Sequence, residues 1–327
     1  MRTFIILIIL AALGFAAWTW WSGRNKPAPL LNTAASVMPP GPQNPPPPQP
    51  TPLPAEVKSD YDQAELLWKQ AVDAGQVPAQ SAKAALMGKL FGKVLIGVYN
   101  KPGLRGLELT LIEQRLTPIG NELFFSKTRF PTDETGLIAM HQVQSGESPD
   151  RIAKKYGMSM EFLNRLRGRD ANDSKLNVGD MVKVVKVKEQ GGAFLHIDKG
   201  DFTIDCFIGG VFARRYPISH GAQQSPTPTG KTRLVDRVLN PPWTDPKTHE
   251  VYGPDDVRNI LGKVWMAFSP EGIGQSGLGI HGYSGPNPQM RALVSNGCIR
   301  LENDSALELY RTISPMDRCK TEVAIVD

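Results

Sequence analysis

At 327 residues and 41% hydrophobic content, the chain can hold two or three domains of roughly 100–200 residues, with at least one sizeable core. Its formal charge of +5 reads as a mildly basic solvated surface; an acidic polymer or an anionic membrane would also suit it, and no nucleic-acid partner is expected. Three scattered cysteines, Cys206, Cys298 and Cys319, exclude a disulfide scaffold, and no C-x-x-C pair points to zinc.

The odd cysteine count leaves at least one free thiol. Cys206 and Cys319 read as two buried reduced thiols, with a bond between them outside the cytoplasm as the alternative. Phe4 to Trp21 is an almost unbroken apolar run ending in Trp18, Trp20 and Trp21. As a helix it would span about 27 Å, near the hydrocarbon thickness of a bilayer, with its indoles at the interface. A signal peptide has a shorter apolar region and a small-x-small cleavage site, so an uncleaved anchor is expected. Arg2 lies before the run and Arg24 and Lys26 after it, so flanking charge does not orient it.

Residues 27–54 hold twelve prolines. Proline fixes φ and gives up its backbone donor, so this stretch reads as an extended spacer reaching up to roughly 85 Å. Helical periodicity follows. Ala64, Leu67, Trp68, Ala71 and Val72 form one apolar stripe, closed by Gly75. Leu86, Leu90, Phe91, Val94, Leu95 and Val98 form a second, and Leu104, Leu107 and Leu111 a third that should stop at Pro118. The region predicts a small helical bundle of unreadable function.

Between 141 and 188 the pattern becomes β-α-α-β. A strand at His141-Gln142-Val143 leads to a helix capped by Ser148 with Pro149 in its first turn. A second helix is capped by Ser159, and Met181 to Val187 closes the unit. With Gly146, Ile152-Ala153, Tyr156-Gly157 and Val178-Gly179-Asp180 in place, this stretch resembles the LysM domain. That resemblance implies binding to N-acetylglucosamine-containing glycans, peptidoglycan above all. Pro149 and Arg167 depart from the family's usual leucine and asparagine. From Phe194 on, short β-branched and aromatic runs broken by Lys199-Gly200-Asp201 and Gly209-Gly210 predict strands. One late helix is expected near Asp304–Arg311, with a closing strand at Val323 to Val326.

Chemistry concentrates near the end of the chain. Ile280-His281-Gly282 precedes Ser295-Asn296-Gly297-Cys298-Ile299-Arg300-Leu301. A thiol with pKa about 8.5 is mostly protonated at neutral pH, so a nucleophilic cysteine needs a histidine or a positive field beside it. Spacing alone does not establish that pairing. The stretch resembles the motif of the L,D-transpeptidase (YkuD-like) family. Thr227-Pro228-Thr229-Gly230, Asn240-Pro241-Pro242-Trp243, and Leu261-Gly262 before Trp265-Met266 match it too.

The resemblance implies a mainly-β, sandwich-like catalytic domain and an acyl transfer that needs neither metal nor organic cofactor. Cys298 would be the nucleophile and His281 its base, oriented by the Gly282 carbonyl. Backbone N–H groups of Gly297 and Cys298, on the run that includes Ser295, would form an oxyanion site. Arg300 would anchor substrate or serve as a structural ion-pair partner. Asn296 replaces the family's usual histidine and would contribute its backbone N–H. His220-Gly221 and His249-Glu250 read as loop or pocket residues, and His141 and His196 lack catalytic context.

The expected organisation is multi-domain: membrane anchor 1–26, Pro-rich linker 27–54, helical region 55–135, LysM unit 140–188 and catalytic domain 192–327. The expected activity is peptidoglycan 3→3 cross-linking through a cysteine acyl-enzyme. L,D-carboxypeptidase action at the same site, or a non-catalytic peptidoglycan anchor, are the alternatives. Such a substrate lies outside the cytoplasmic membrane, which predicts a single-pass cell-membrane protein with its N-terminus cytoplasmic and its catalytic domain on the outer side.

Overall fold

A computed structural model describes residues 51–130, 133–284 and 290–327. Pro50–Asp327 forms one compact unit. Helices come first, at Ala55–Asp73 and Ala84–Val98. The second buries Leu90, Phe91, Val94, Leu95 and Val98, the stripe its periodicity predicts. In the first, Ala64 and Ala71 are buried, whereas Val72 stays exposed.

The third helix does not stop at Pro118. It runs from Arg105–Leu111 through a π-helical turn, Ile112–Leu116, into Thr117–Gly120, and ends in a second π turn at Asn121–Phe125. Proline lacks an N–H and crowds the carbonyl four residues back. The wider turn just before it, with Thr117 N–H bonded to Ile112 O, lets the helix pass.

Strands β1 (Ile138–Gln142) and β2 (Met181–Val185) pair antiparallel around two short helices, Pro149–Tyr156 and Met160–Arg167. The caps are those the sequence predicts. Ser148 Oγ accepts from Arg151 N–H at 3.3 Å and Ser159 Oγ from Phe162 N–H at 2.9 Å. Ile152, Ala153, Phe162 and Leu163 fill the space between. This unit docks on the late helix Asn303–Thr312: Ser159 Oγ donates to Arg311 O at 2.5 Å and Arg165 to Thr312 Oγ1 at 2.7 Å.

The remaining strands are β3 (Ala193–Asp198), β4 (Thr203–Ile208), β5 (Val211–Pro217), β6 (His220–Gly221), β7 (Gly230–Leu239), β8 (Trp243–Thr244), β9 (Val251–Tyr252), β10 (Val264–Phe268), β11 (Gly279–His281), β12 (Leu293–Ser295), β13 (Ile299–Arg300) and β14 (Thr321–Val326). Eight of them make one sheet in the order β13-β11-β10-β7-β14-β3-β4-β5. The mainly-β expectation is met by this continuous sheet rather than by two stacked ones. Gly209 and Gly210, both at positive φ, supply the two-residue turn that folds β5 back on β4. The strand β14 runs parallel to β3 and antiparallel to β7, so the end of the chain lies in the middle of the sheet.

An ionic cluster ties the helices to β4 and β5. Arg215 donates to both oxygens of Asp205 (2.6 and 2.7 Å) and to Glu108 Oε1 (2.8 Å), and Tyr99 OH also donates to Asp205. Asp205 is 1% exposed and Glu108 3%.

The expected single-pass placement is corrected. Among the described residues no helix is long and apolar enough to cross a membrane. The longest, Ala55–Asp73, carries Glu56, Lys58, Asp60, Asp62, Glu65, Lys69 and Asp73, charges that hydrocarbon would exclude. Phe4 to Trp21, on which the membrane anchor and its orientation rested, and most of the proline-rich linker lie outside the described residues.

Removing Arg215 leaves buried Asp205 without its cation and Glu108 with Arg105 alone. Arg215→Met should destabilise the fold by about 3–5 kcal/mol in chemical denaturation. A loss below about 1 kcal/mol would show that the cluster does not hold the helices to the sheet.

Candidate active site

The strands β11 and β13 pair in parallel, with Ile280 opposite Ile299 and His281 opposite Arg300. Side chains alternate faces along a strand, so Ile280 and Ile299, both fully buried, point into the core. His281, Arg300 and Cys298 then share the other face. Trp265, paired with His281 across β10 and β11, lies on it too, with ring centroids 6.0 Å apart. Together these residues line an open cleft of about 510 Å³, whose apolar wall is Pro241, Pro242, Trp243, Ile260 and Leu278.

The run before Cys298 is fixed from below. Gly297 sits at φ +105°, a conformation L side chains rarely adopt. Its carbonyl accepts from Thr227 Oγ1 at 2.8 Å, and that oxygen accepts from Gly221 N–H at 2.9 Å. Ser295 Oγ donates to Cys298 O at 2.6 Å and accepts from Gly297 N–H at 3.2 Å. Thr227 and Ser295 are each 2% exposed, so both act as struts under the thiol loop. The Gly297 amide, expected to face an oxyanion, is engaged by Ser295 in this conformation. Asn296 is exposed at the rim of the cleft.

His281 is 2% exposed, and its Nδ1 bonds the Gly282 carbonyl. Burial pushes its pKa down to about 4, Arg300 adds to that, and the carbonyls of Gly282 and Leu261 oppose it. The ring is therefore neutral near pH 7. A carbonyl can only accept, so Nδ1 carries the proton and Nε2 keeps a free lone pair.

Burial raises the Cys298 pKa, against the Gly279 amide and the Arg300 charge. The thiol donates to Gly277 O at 3.9 Å. The resting pair is a neutral thiol and a neutral imidazole. Arg300 stands over the Tyr283 ring at 4.7 Å, and its buried Nε has no hydrogen-bond partner among the described residues.

One positioning residue was not foreseen. Asn303 Oδ1 accepts from Lys263 N–H at 3.1 Å, while Nδ2 donates to Tyr283 O at 3.1 Å and Ser284 Oγ at 3.0 Å. It clips the loop after Gly282 to the segment that leads into β10. A Cβ on Gly282 would run into Asn303 Oδ1, so the carbonyl that orients His281 depends on that glycine. Asn303 lies only five residues beyond Cys298, but nothing in the local pattern says that its amide reaches back across β11.

The other histidines lie elsewhere. His220 stacks on Phe202 and His249 sits in an exposed loop at φ +59°. His141 bonds Glu147 and Tyr156, and His196 stacks on Tyr99. Cys206 is fully buried with its pKa pushed up to about 12, Cys319 is half-buried, and all three cysteines are free. Among the described residues no cluster of three His, Cys, Asp or Glu could hold a metal ion.

If the resting pair is neutral, alkylation of Cys298 by iodoacetamide should climb with pH through the neutral range and beyond about pH 8.5. The sign follows from burial, which raises the thiol and lowers the imidazole. Cys298→Ala corrects for the other thiols. A rate plateau between about pH 5 and 7, the signature of a thiolate–imidazolium pair, would contradict it.

Residues 192–325 match the YkuD family, described as the L,D-transpeptidase catalytic domain. The chain is 34% identical to YqjB of Bacillus subtilis (strain 168) over 98 residues, 30% of this chain and 53% of that protein; it thus spans about half that relative's length. It is 26% identical to YkuD of the same organism over 171 residues, 52% of this chain and 90% of that one. Both are provisionally named L,D-transpeptidases. An L,D-transpeptidase from Mycobacterium tuberculosis H37Rv superposes with a TM-score of 0.33 at 16% identity, covering 42% of this chain and 58% of that one. With a thiol and a neutral histidine sharing the cleft of this sheet, residues 192–325 are a YkuD-like L,D-transpeptidase catalytic domain.

Proposed function

We propose that the chain forms 3→3 cross-links between peptidoglycan stem peptides through a thioester on Cys298. The observation that carries this reading is the bond between His281 Nδ1 and the Gly282 carbonyl, which supports a tautomer with Nε2 as the acceptor on the face that holds Cys298. Sγ attacks the carbonyl of the donor stem's third residue while Nε2 takes the thiol proton. The imidazolium then passes that proton to the departing amine of the terminal D-alanine.

A side-chain amine of a second stem attacks the thioester next, loses its proton to His281, and Sγ leaves to recover the thiol. Amides of Gly297 and Cys298 stabilise the oxyanion at each stage, the first once it turns from Ser295. Arg300, half-buried with an unmatched Nε, suits a substrate carboxylate. The βααβ unit is read as a LysM module that holds the glycan strand. Its caps, turns and core suit that assignment.

The test is release of D-alanine from a tetrapeptide stem, with mass analysis of the products. Wild type should release D-alanine and yield a cross-linked dimer, and should take up a carbapenem at Cys298. Cys298→Ala should do neither, and His281→Ala should fall by about 10⁴-fold or more. Asn296→Ala keeps the backbone amide and should cost less than a lost oxyanion donor, about 2.7–4 kcal/mol. Release without a dimer would make the enzyme a carboxypeptidase. An inactive wild type revived by Asn296→His would make it a degenerate enzyme. The LysM assignment requires Cys298→Ala protein to sediment with isolated sacculi in competition with N-acetylglucosamine oligomers; indifference to those oligomers would remove it.

A further inference from the structure

Far along the chain from Cys298, three segments enclose a second concavity, of about 310 Å³. The stretch just beyond the turn Asn121–Phe125 brings Lys127 and Arg129, the end of Met160–Arg167 brings Arg167 with Arg169 just beyond it, and β2 brings Lys183. Asp180 is the sole carboxylate among the lining residues, and it accepts from Asn177. The lining thus carries five cations against one anion.

Local partners do little to cancel that excess. Arg167 is held by neutral acceptors, Asn164 Oδ1 at 2.5 Å and the Lys175 carbonyl. Lys183, 3% exposed, donates to the carbonyls of Glu122 (3.0 Å) and Ser126 (2.7 Å). The Glu122 carboxylate is itself turned to Gln80, Ser126 and Thr128. Arg169 has a loose contact with Asp173 at 3.8 Å. Burial lowers the Lys183 pKa to about 8, against the pull of Glu122, and burial also lowers that of Arg167, with Asp173 and Asp180 opposing and Arg169 adding to it. Lys127 lies across Gly168, which brings its amine over the C-terminal end of the Met160–Arg167 helix.

We infer that this pocket, built jointly by the helical region and the βααβ unit, binds a phosphate group. Guanidinium forks and an ammonium approach from three segments, an arrangement that a tetrahedral oxyanion can meet with three oxygens. A planar carboxylate offers two oxygens in one plane and a single charge. The inference does not rest on the activity proposed for Cys298.

The test titrates the full chain with inorganic phosphate, poly(glycerol phosphate) and poly-L-glutamate, followed by calorimetry at constant ionic strength. The variants are Arg129→Gln/Arg169→Gln and, as a control for net charge, Lys101→Gln/Lys231→Gln. Wild type should bind phosphate or its polymer. The first variant should lose about tenfold or more, and the control should match wild type. Tighter binding of the polymer per phosphate would identify a repeating phosphodiester as the ligand; equal binding would identify the free ion. Cys298 alkylation at the wild-type rate would show the variant folded. Equal losses in both variants, or poly-L-glutamate binding as tightly as poly(glycerol phosphate), would overturn the inference in favour of a nonspecific basic surface.

Discussion

The site depends on a two-residue parallel pairing. Because His281 stands opposite Arg300 and Ile280 opposite Ile299, the alternation of side chains puts His281, Cys298 and Arg300 on one face. A slip of one residue would send the thiol into the core and an isoleucine into the cleft. The register is strongly specified for that reason. Both isoleucines are fully buried, and reversing them would expose two large apolar side chains. Such a short parallel contact cannot hold itself, and its surroundings supply the restraint. Thr227 and Ser295 brace the turn before Cys298, while Asn303 clips the loop after His281.

Burial then sets the chemistry. It lowers the basicity of His281 and raises the thiol, so both groups rest uncharged. Separated charge in a partly dry cleft is costly, and under the proposed mechanism a proton shift coupled to attack would avoid forming it before substrate arrives. Arg300 lies close enough to favour the developing thiolate and to discourage an imidazolium at rest. The Gly282 carbonyl can serve only one tautomer. Orientation of the base is thus built into the backbone, with no carboxylate needed to hold the ring.

Much of this was legible in the chain. Ser148 and Ser159 mark helix starts by local rules, and they stand where those rules put them. The Gly209-Gly210 turn follows equally local logic. The motif around Cys298 pointed to the residues that line the candidate cleft, since they are adjacent in sequence. Thr227, noted as part of a motif, gained a physical role only once its hydroxyl was seen beneath Gly297. What failed was non-local. Pro118 was read as a stop because periodicity cannot show that the preceding turn widens. Asn303 went unnoticed because its three partners are brought together by the sheet. Val72 belongs to a stripe by spacing, but among the described residues the face it occupies has no neighbour to cover it.

The central claim is that the fold holds His281 as a neutral imidazole with its proton on Nδ1. Nitrogen-15 NMR of the full chain labelled in its histidine rings, assigned by comparison with His281→Gln, tests this directly. The account predicts a pyrrole-type Nδ1 and a pyridine-type Nε2 that stay unchanged from about pH 8 down to about pH 5, because burial has moved the titration below that window. A proton on Nε2, or a titration near the ordinary histidine pKa of about 6.5, would contradict it.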